Sequence, residues 1–454
     1  MYSDANIHRA EVYRLNLKSD QRRVQTAVLA YLIMLLGITL MVWVWFILHR
    51  HGPHHFPLGE RSDRYGDLLR FSGKYQIGTT PRIRDNPALV GSLYPRNYPP
   101  FSVAIYLFLL QVCAPYALVT LAATVLVAAF VACTVLYRRV TTFASYRWYI
   151  GLAIFYSGVM GWATEQVIMR GNIEGFMWIA VLIGAWLFSR KRYEGAAAAF
   201  GVACCIKPYP ILWFAIMLRQ RRYREVGLGI LTAAGVTFFS LFALDRNPLR
   251  AYQKLSGKST FFGDYIVAFR PMDEMLGDHS LLQTMKTISR VVRYHGLTFP
   301  ASESTVQSNN PLAWKLYHAY LPLAALLGVV VALGVWKKPV LNQIFAVACA
   351  STLFPLMSGD YTLGVILIPL GFFLIYMMQD VADGRVELTL GQMLYFLLPC
   401  AWLMATGPRW VLHGVLETVA LLILLGASLI IPLPSTLFGE IEDRASSVVP
   451  ELSV

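Results

Sequence analysis

Apolar residues in this chain run in long unbroken stretches, and short basic segments separate them. Gln25 to Leu48 is the first such stretch, long enough to cross a bilayer that takes about 20 apolar residues. It lacks a small-residue cleavage site, so it is read as a span and not as a cleavable leader. Further spans are predicted from Tyr116 to Tyr137, Trp148 to Gly161, Ile173 to Phe188, Val226 to Leu244, Trp314 to Val335, Leu341 to Leu356, Thr362 to Met378, Gly391 to Ala405 and Trp410 to Ile431. Phe101 to Cys113 is apolar but too short to cross alone, which predicts an interfacial or re-entrant helix. Gly195 to Leu218 is interrupted at Lys207-Pro208-Tyr209-Pro210. Proline removes backbone donors and disfavours helix, so two short legs are expected to meet there. The pattern predicts an all-α polytopic membrane protein, a bundle of about 12 membrane segments.

The basic segments orient this bundle. Lys18 with Arg22 and Arg23, Arg138-Arg139 with Arg147, Arg190-Lys191-Arg192, Arg219 through Arg224, and Lys337-Lys338 all punctuate the apolar runs. Cytoplasmic loops collect Lys and Arg, so these clusters and both termini are assigned to the cytoplasm. Two large loops, residues 50–100 and 245–310, then fall outside, with a tight outer loop from Thr164 to Asn172. The expected organisation is a cytoplasmic segment 1–24, one transmembrane domain 25–431, and a polar, disordered cytoplasmic tail 432–454. No soluble domain and no internal repeat is evident. Within the second loop, His279 to Tyr294 places Leu282, Met285, Ile288 and Val292 against Lys286, Arg290 and Arg293. That is an amphipathic helix expected on the outer membrane surface, its basic face either holding phosphate groups or merely capping the bundle.

Composition agrees and excludes other classes. The 454 residues are 56% hydrophobic and 14% charged, with a mean hydropathy of +0.52. Soluble domains carry roughly 25% charged residues, so an integral membrane protein is indicated. The net charge of +13 could suggest a nucleic-acid partner, but its placement at the ends of apolar runs makes it an orientation signal. The six cysteines lie in apolar runs with no disulfide or metal spacing.

Polar residues at the outer side are the candidates for chemistry, because ionisable groups at a membrane are costly unless they are used or paired. Asp63 and Asp67 stand in the first outer loop. Arg170-Gly171-Asn172, Lys207-Pro208, Gly277-Asp278-His279-Ser280 and Ser358-Gly359-Asp360-Tyr361 are expected to converge with them. No Ser-His-Asp set, Walker loop, GxGxxG or metal-ligand spacing is visible. An outward carboxylate beside basic groups suits an anionic, lipid-borne substrate.

The order of motifs also carries a resemblance. Asp67-Leu68-Leu69-Arg70-Phe71 follows the first span, then come Tyr98-Pro99-Pro100-Phe101, Gly171-Asn172-Ile173-Glu174 and Cys205-Ile206-Lys207-Pro208-Tyr209-Pro210 before Arg219-Gln220-Arg221-Arg222-Tyr223-Arg224. This order resembles glycosyltransferase family 87 from about Asp63 to Pro369. The family comprises polyprenyl-phosphate-mannose-dependent α-mannosyltransferases of the membrane-embedded GT-C superfamily. The resemblance implies a GT-C-like bundle in the cytoplasmic membrane and an inverting transfer, on its outer face, to a lipid-linked or glycan acceptor. It implies a carboxylate base followed four residues later by an aromatic, which Asp67 with Phe71 matches, although the family more often has Tyr there. Asp63 is the second choice. Asp67 could instead cap a helix or pair with Arg70 or Lys74.

Under this reading the lipid phosphate leaves as an anion, which calls for cations rather than a general acid. Lys207, Arg170, Lys286 and Arg290 are the phosphate candidates, with Asn172, Tyr98, Asp278 and Asp360 as further substrate contacts and His279 as a proton relay or acceptor contact. Each has a plainer alternative: Lys207 snorkelling at a turn, Arg170 pairing with Glu165 or Glu174, Asp360 capping a helix, Tyr98 fixing the loop. His413 and Glu417 lie one turn apart and are expected to pair with each other. No cofactor and no metal is expected; the partners are the lipid-linked donor, the acceptor and membrane lipids, and not nucleic acid. Two rival activities share this topology. An O-antigen-type polymerase or ligase would depend on Arg270 or His279, and a flippase of lipid-linked sugars would break no bond.

Overall fold

The computed structural model describes residues 2–48, 98–113, 116–141, 147–255, 279–294, 311–356, 358–382, 388–405, 413–435 and 438. Among them every regular element is helical. In chain order these are α1 (Tyr2–Leu48), α2 (Pro100–Val112), α3 (Ala117–Thr141), α4 (Arg147–Phe155), α5 (Trp162–Arg170), α6 (Glu174–Ser189), α7 (Tyr193–Ile206) and α8 (Phe214–Arg219). There follow α9 (Tyr223–Leu244), α10 (Pro248–Leu255), α11 (Leu281–Tyr294), α12 (Pro311–Trp336), α13 (Val340–Leu353), α14 (Leu367–Ala382), α15 (Leu390–Met404) and α16 (His413–Ile430). Among the described residues, five segments are long and apolar enough to cross a membrane: Lys18–Val42, Ala117–Val140, Tyr223–Leu244, Trp314–Trp336 and Asp360–Gln379.

The chain folds inside out relative to a soluble bundle, because lipid is its solvent over most of the surface. Ile230, Leu231, Phe238 and Phe239 on α9 and Val329 and Leu333 on α12 are exposed. Asn342, Gln343, Ser351 and Thr352 on α13 are buried. Every residue of α13 is buried, as expected of a helix surrounded by others. It packs against α16, which packs on α15, which in turn lies along α1. The second half of the bundle is the antiparallel set α6, α7 and α9.

The break at Lys207-Pro208 is present. α7 ends at Ile206, Lys207 is extended, and a 3-10 turn from Tyr209 to Trp213 leads into α8. Pro100 occupies the first turn of α2, where its missing N–H would have had no partner anyway. Three expectations change. The segment from Thr164 to Asn172 is mostly helix, as part of α5, and not a bare loop. The tail begins docked: Leu433 is buried and donates its N–H to Asn342 Oδ1 at 2.8 Å, and the Phe438 ring lies 5.7 Å from that of Phe372. α11 is also turned from its expected pose. Leu282, Gln283, Thr284 and Lys286 are buried, whereas Ile288 and Val292 are 50% and 66% exposed. With apolar solvent outside and polar groups inside, the polar side of such a helix gains by facing the bundle.

One end of the bundle collects the basic turns. Arg219 Nε donates to the carbonyl of Trp336, and Lys338 Nζ to that of Ile430 at 3.3 Å. The turns after α8, α12 and α16 therefore share this end. The start of α6, the Lys207 break and Tyr361 lie together at the opposite end.

Candidate functional site

Arg170, Asn172 and Glu174 are placed by one tight connection. α5 ends with Gly171 at φ +60°, a left-handed conformation that glycine adopts without steric cost. Gly171 N–H bonds the Ile168 carbonyl at 3.1 Å and Asn172 N–H the Val167 carbonyl at 2.9 Å, the two bonds of a Schellman turn. Asn172 Oδ1 then accepts from Glu174 N–H at 2.9 Å and so caps α6. Glu174 is thereby held fully buried at the helix start. Its carboxylate lies 3.6 Å from Lys207 Nζ and accepts the Tyr209 hydroxyl. Lys207 also stands 4.7 Å above the ring of Tyr98 and 5.8 Å from that of Tyr361. Arg170 approaches the same Tyr361 ring at 5.7 Å. Gly359 makes room for this ring, since a Cβ there would meet Tyr361 carbons at 2.8 Å. Two cations thus converge on one aromatic ring, and a buried carboxylate stands beside one of them. That is a setting for an anion with a sugar attached. On α5, burial pushes the Glu165 carboxyl up to about 7.

Directly behind Tyr361 is a second polar group. His279 N–H donates to the Ser358 carbonyl at 3.0 Å, and its carbonyl accepts from Thr418 Oγ1 at 3.0 Å. Ser280 caps α11 by accepting from Gln283 N–H at 3.2 Å. The imidazole Nε2 meets Thr362 Oγ1 at 2.8 Å and Ser358 Oγ at 3.0 Å. Its Nδ1 faces Glu417 Oε2 at 3.3 Å and Asp360 Oδ1 at 4.0 Å. Asp360 Oδ2 accepts from Trp162 Nε1 at 3.0 Å. All three titratable side chains are buried.

Of the residues singled out in the sequence, Tyr98, Arg170, Asn172, Lys207, Asp360 and His279 come together here. Lys286 is buried on α11. Arg290 is on the same helix, but the description of its side chain, like Asp63, Asp67 and Asp278 entirely, lies outside the described residues. Asp360 faces Trp162 and His279. Sequence reasoning missed Glu174 and Glu417. Glu174 was considered as a mate for Arg170; it also forms a salt bridge with Lys207 across the proline break. Glu417 was assigned to His413 by helical spacing; its described partner is His279, brought in by α11.

A family model for glycosyltransferase family 87 matches residues 97–359, more than half of the chain. The chain belongs to glycosyltransferase family 87. No curated protein and no solved structure matches it. The family match is narrower than the resemblance read from the motifs, taking in Tyr98, Arg170, Asn172, Lys207 and His279 but neither Asp67 before it nor Glu417 after it. As a glycosyltransferase with membrane-spanning helices, the protein handles a sugar donor, an acceptor and membrane lipids.

Proposed function

We propose that this family 87 glycosyltransferase transfers a hexose, mannose in the first instance, from polyprenyl phosphate to a hydroxyl of a lipid-linked or glycan acceptor. The reaction occurs on the extracytoplasmic face of the cytoplasmic membrane, in a GT-C-like bundle of about 12 segments. The convergence of Lys207 and Arg170 on Tyr361, at the end of the bundle opposite the basic turns, carries this reading. A leaving phosphate there gains charge in a partly desolvated site, where a fixed cation stabilises it far more than in water.

In the proposed step, the acceptor hydroxyl oxygen attacks the anomeric carbon and the carbon–oxygen bond to the lipid phosphate breaks, inverting the centre. Asp67 takes the hydroxyl proton, and polyprenyl phosphate departs as the anion held by Lys207 and Arg170. No general acid is needed, because a phosphate leaves unprotonated; the paired carboxylates of glycosidases have no counterpart in this scheme. Tyr98, near the end of the loop that bears Asp67, lies against Lys207, which supports a base from that loop acting beside Lys207.

The test is transfer from synthetic polyprenyl-phosphate mannose to membrane lipids by wild type and Asp67→Asn in nanodiscs. Transfer by wild type and its loss in the variant are expected. Full activity in the variant would move the base to Asp63. Movement of labelled donor across liposomes with its sugar-phosphate bond intact would replace the reading with a flippase.

A further inference from the structure

The hydrogen bonds around His279 favour one tautomer of its imidazole. With the Thr362 hydroxyl donating to the Gly359 carbonyl at 2.8 Å, it accepts toward the imidazole, which assigns the proton to Nε2. Ser358 Oγ, 2.7 Å from Thr362 Oγ1, closes the same small network. In neutral His279 the Nδ1 lone pair then points at two buried carboxylates, Glu417 and Asp360. Three electron-rich atoms facing one another in a buried site call for a positive charge between them.

That charge is either a proton or a cation, and the distances discriminate. An N–H···O bond spans about 2.9 Å. Glu417 Oε2 at 3.3 Å is long for one, and Asp360 Oδ1 at 4.0 Å is out of reach. The three donor atoms all lie within 4.8 Å of one another. Two ligands held about 2.0–2.4 Å from a common ion are themselves roughly 3–4.8 Å apart. The supports behind the ligands also have the form that metal ligands need. Nε2–H is tied to hydroxyls, and Asp360 Oδ2 is fixed by the indole of Trp162, which aims Nδ1 and Oδ1 at the same point.

We propose that His279 Nδ1, Asp360 Oδ1 and Glu417 Oε2 bind a divalent first-row cation. One imidazole and two carboxylates, with no thiolate, suit Zn²⁺ or Mn²⁺. The ion joins the start of α11, the turn before α14 and the first part of α16, three pieces of chain that no short loop connects. It also cancels two negative charges beside Tyr361, where they would otherwise repel an anion bound at Lys207 and Arg170. The proposal does not depend on the donor, the acceptor or the base of the transfer reaction.

The experiment uses full-length protein purified through a tag without histidines, with no chelator, and metal content measured by mass spectrometry. Chelator-stripped protein is then titrated with Zn²⁺ or Mn²⁺ while Tm is followed. One ion per chain and a saturable rise in Tm of a few degrees are expected, both lost in Glu417→Gln. Bound Mn²⁺ should show a nitrogen coupling in its electron-spin-echo spectrum. If Glu417→Gln fails to fold, the wild-type stoichiometry and that nitrogen coupling decide the matter alone. Metal-free wild type with no response to either ion overturns the proposal and makes the charge a proton on His279. Metal binding that persists unchanged in a folded Glu417→Gln overturns it as well.

Discussion

Lys207 has two roles that a double substitution separates. It offsets the charge of Glu174, which is fully buried, and it stands beside the rings of Tyr98 and Tyr361. Lys207→Met removes an ammonium from beside a buried carboxylate, a change that costs about 3 kcal/mol in comparable sites. A marked fall in Tm is therefore expected, together with loss of transfer by roughly 100-fold or more. Adding Glu174→Gln removes the carboxylate charge, so Lys207→Met/Glu174→Gln should regain most of the Tm and none of the activity. Thermal unfolding and transfer measured on wild type, Lys207→Met, Glu174→Gln and the double variant check this. Recovery of both would make Lys207 a structural cation only.

Two of the basic turns show strain at the level of the element. Lys191, between α6 and α7, has φ 58°, and Arg221, between α8 and α9, has φ 57°. Each ends its helix as Gly171 ends α5, with N–H groups bonded back to Phe188 and Leu187 in the first turn and to Leu218 and Met217 in the second. A side chain in this conformation costs roughly 1 kcal/mol that glycine avoids. Lys191→Gly should therefore raise Tm slightly, as thermal unfolding will show; an unchanged or lower Tm would mean that the side chain offsets its own strain. These turns also show why the helices were legible. Uninterrupted apolar runs and basic breaks mark where a chain can and cannot remain in lipid, and from α6 to α9 the predicted and observed limits differ by a few residues at most. α5 was not legible, because nine residues with Glu165 and Arg170 have too little apolar content to register as helix. The candidate site was half legible. Arg170, Lys207, His279 and Asp360 stand out as polar interruptions between apolar runs. Glu417 does not, since nothing near it in sequence points to His279, which α11 brings to it; the side chain of His413 lies outside the described residues.

Across the whole molecule, Asn342 acts as a latch on α13. Its amide donates to the Ser428 and Ile431 carbonyls at 2.7 and 2.6 Å and accepts from Leu433, so the end of α16 and the start of the tail are fixed to the central helix. Lys338 reaches the same place through Ile430. The described start of the tail therefore lies beside the basic turns, and a reporter joined to the chain's end tests which compartment those turns occupy. A green fluorescent protein joined after Val454 should glow in cells, and alkaline phosphatase at the same point should stay inactive. The reverse pair of results would put Lys207 and Tyr361 in the cytosol, within reach of nucleotide-activated sugars that a periplasmic enzyme never meets.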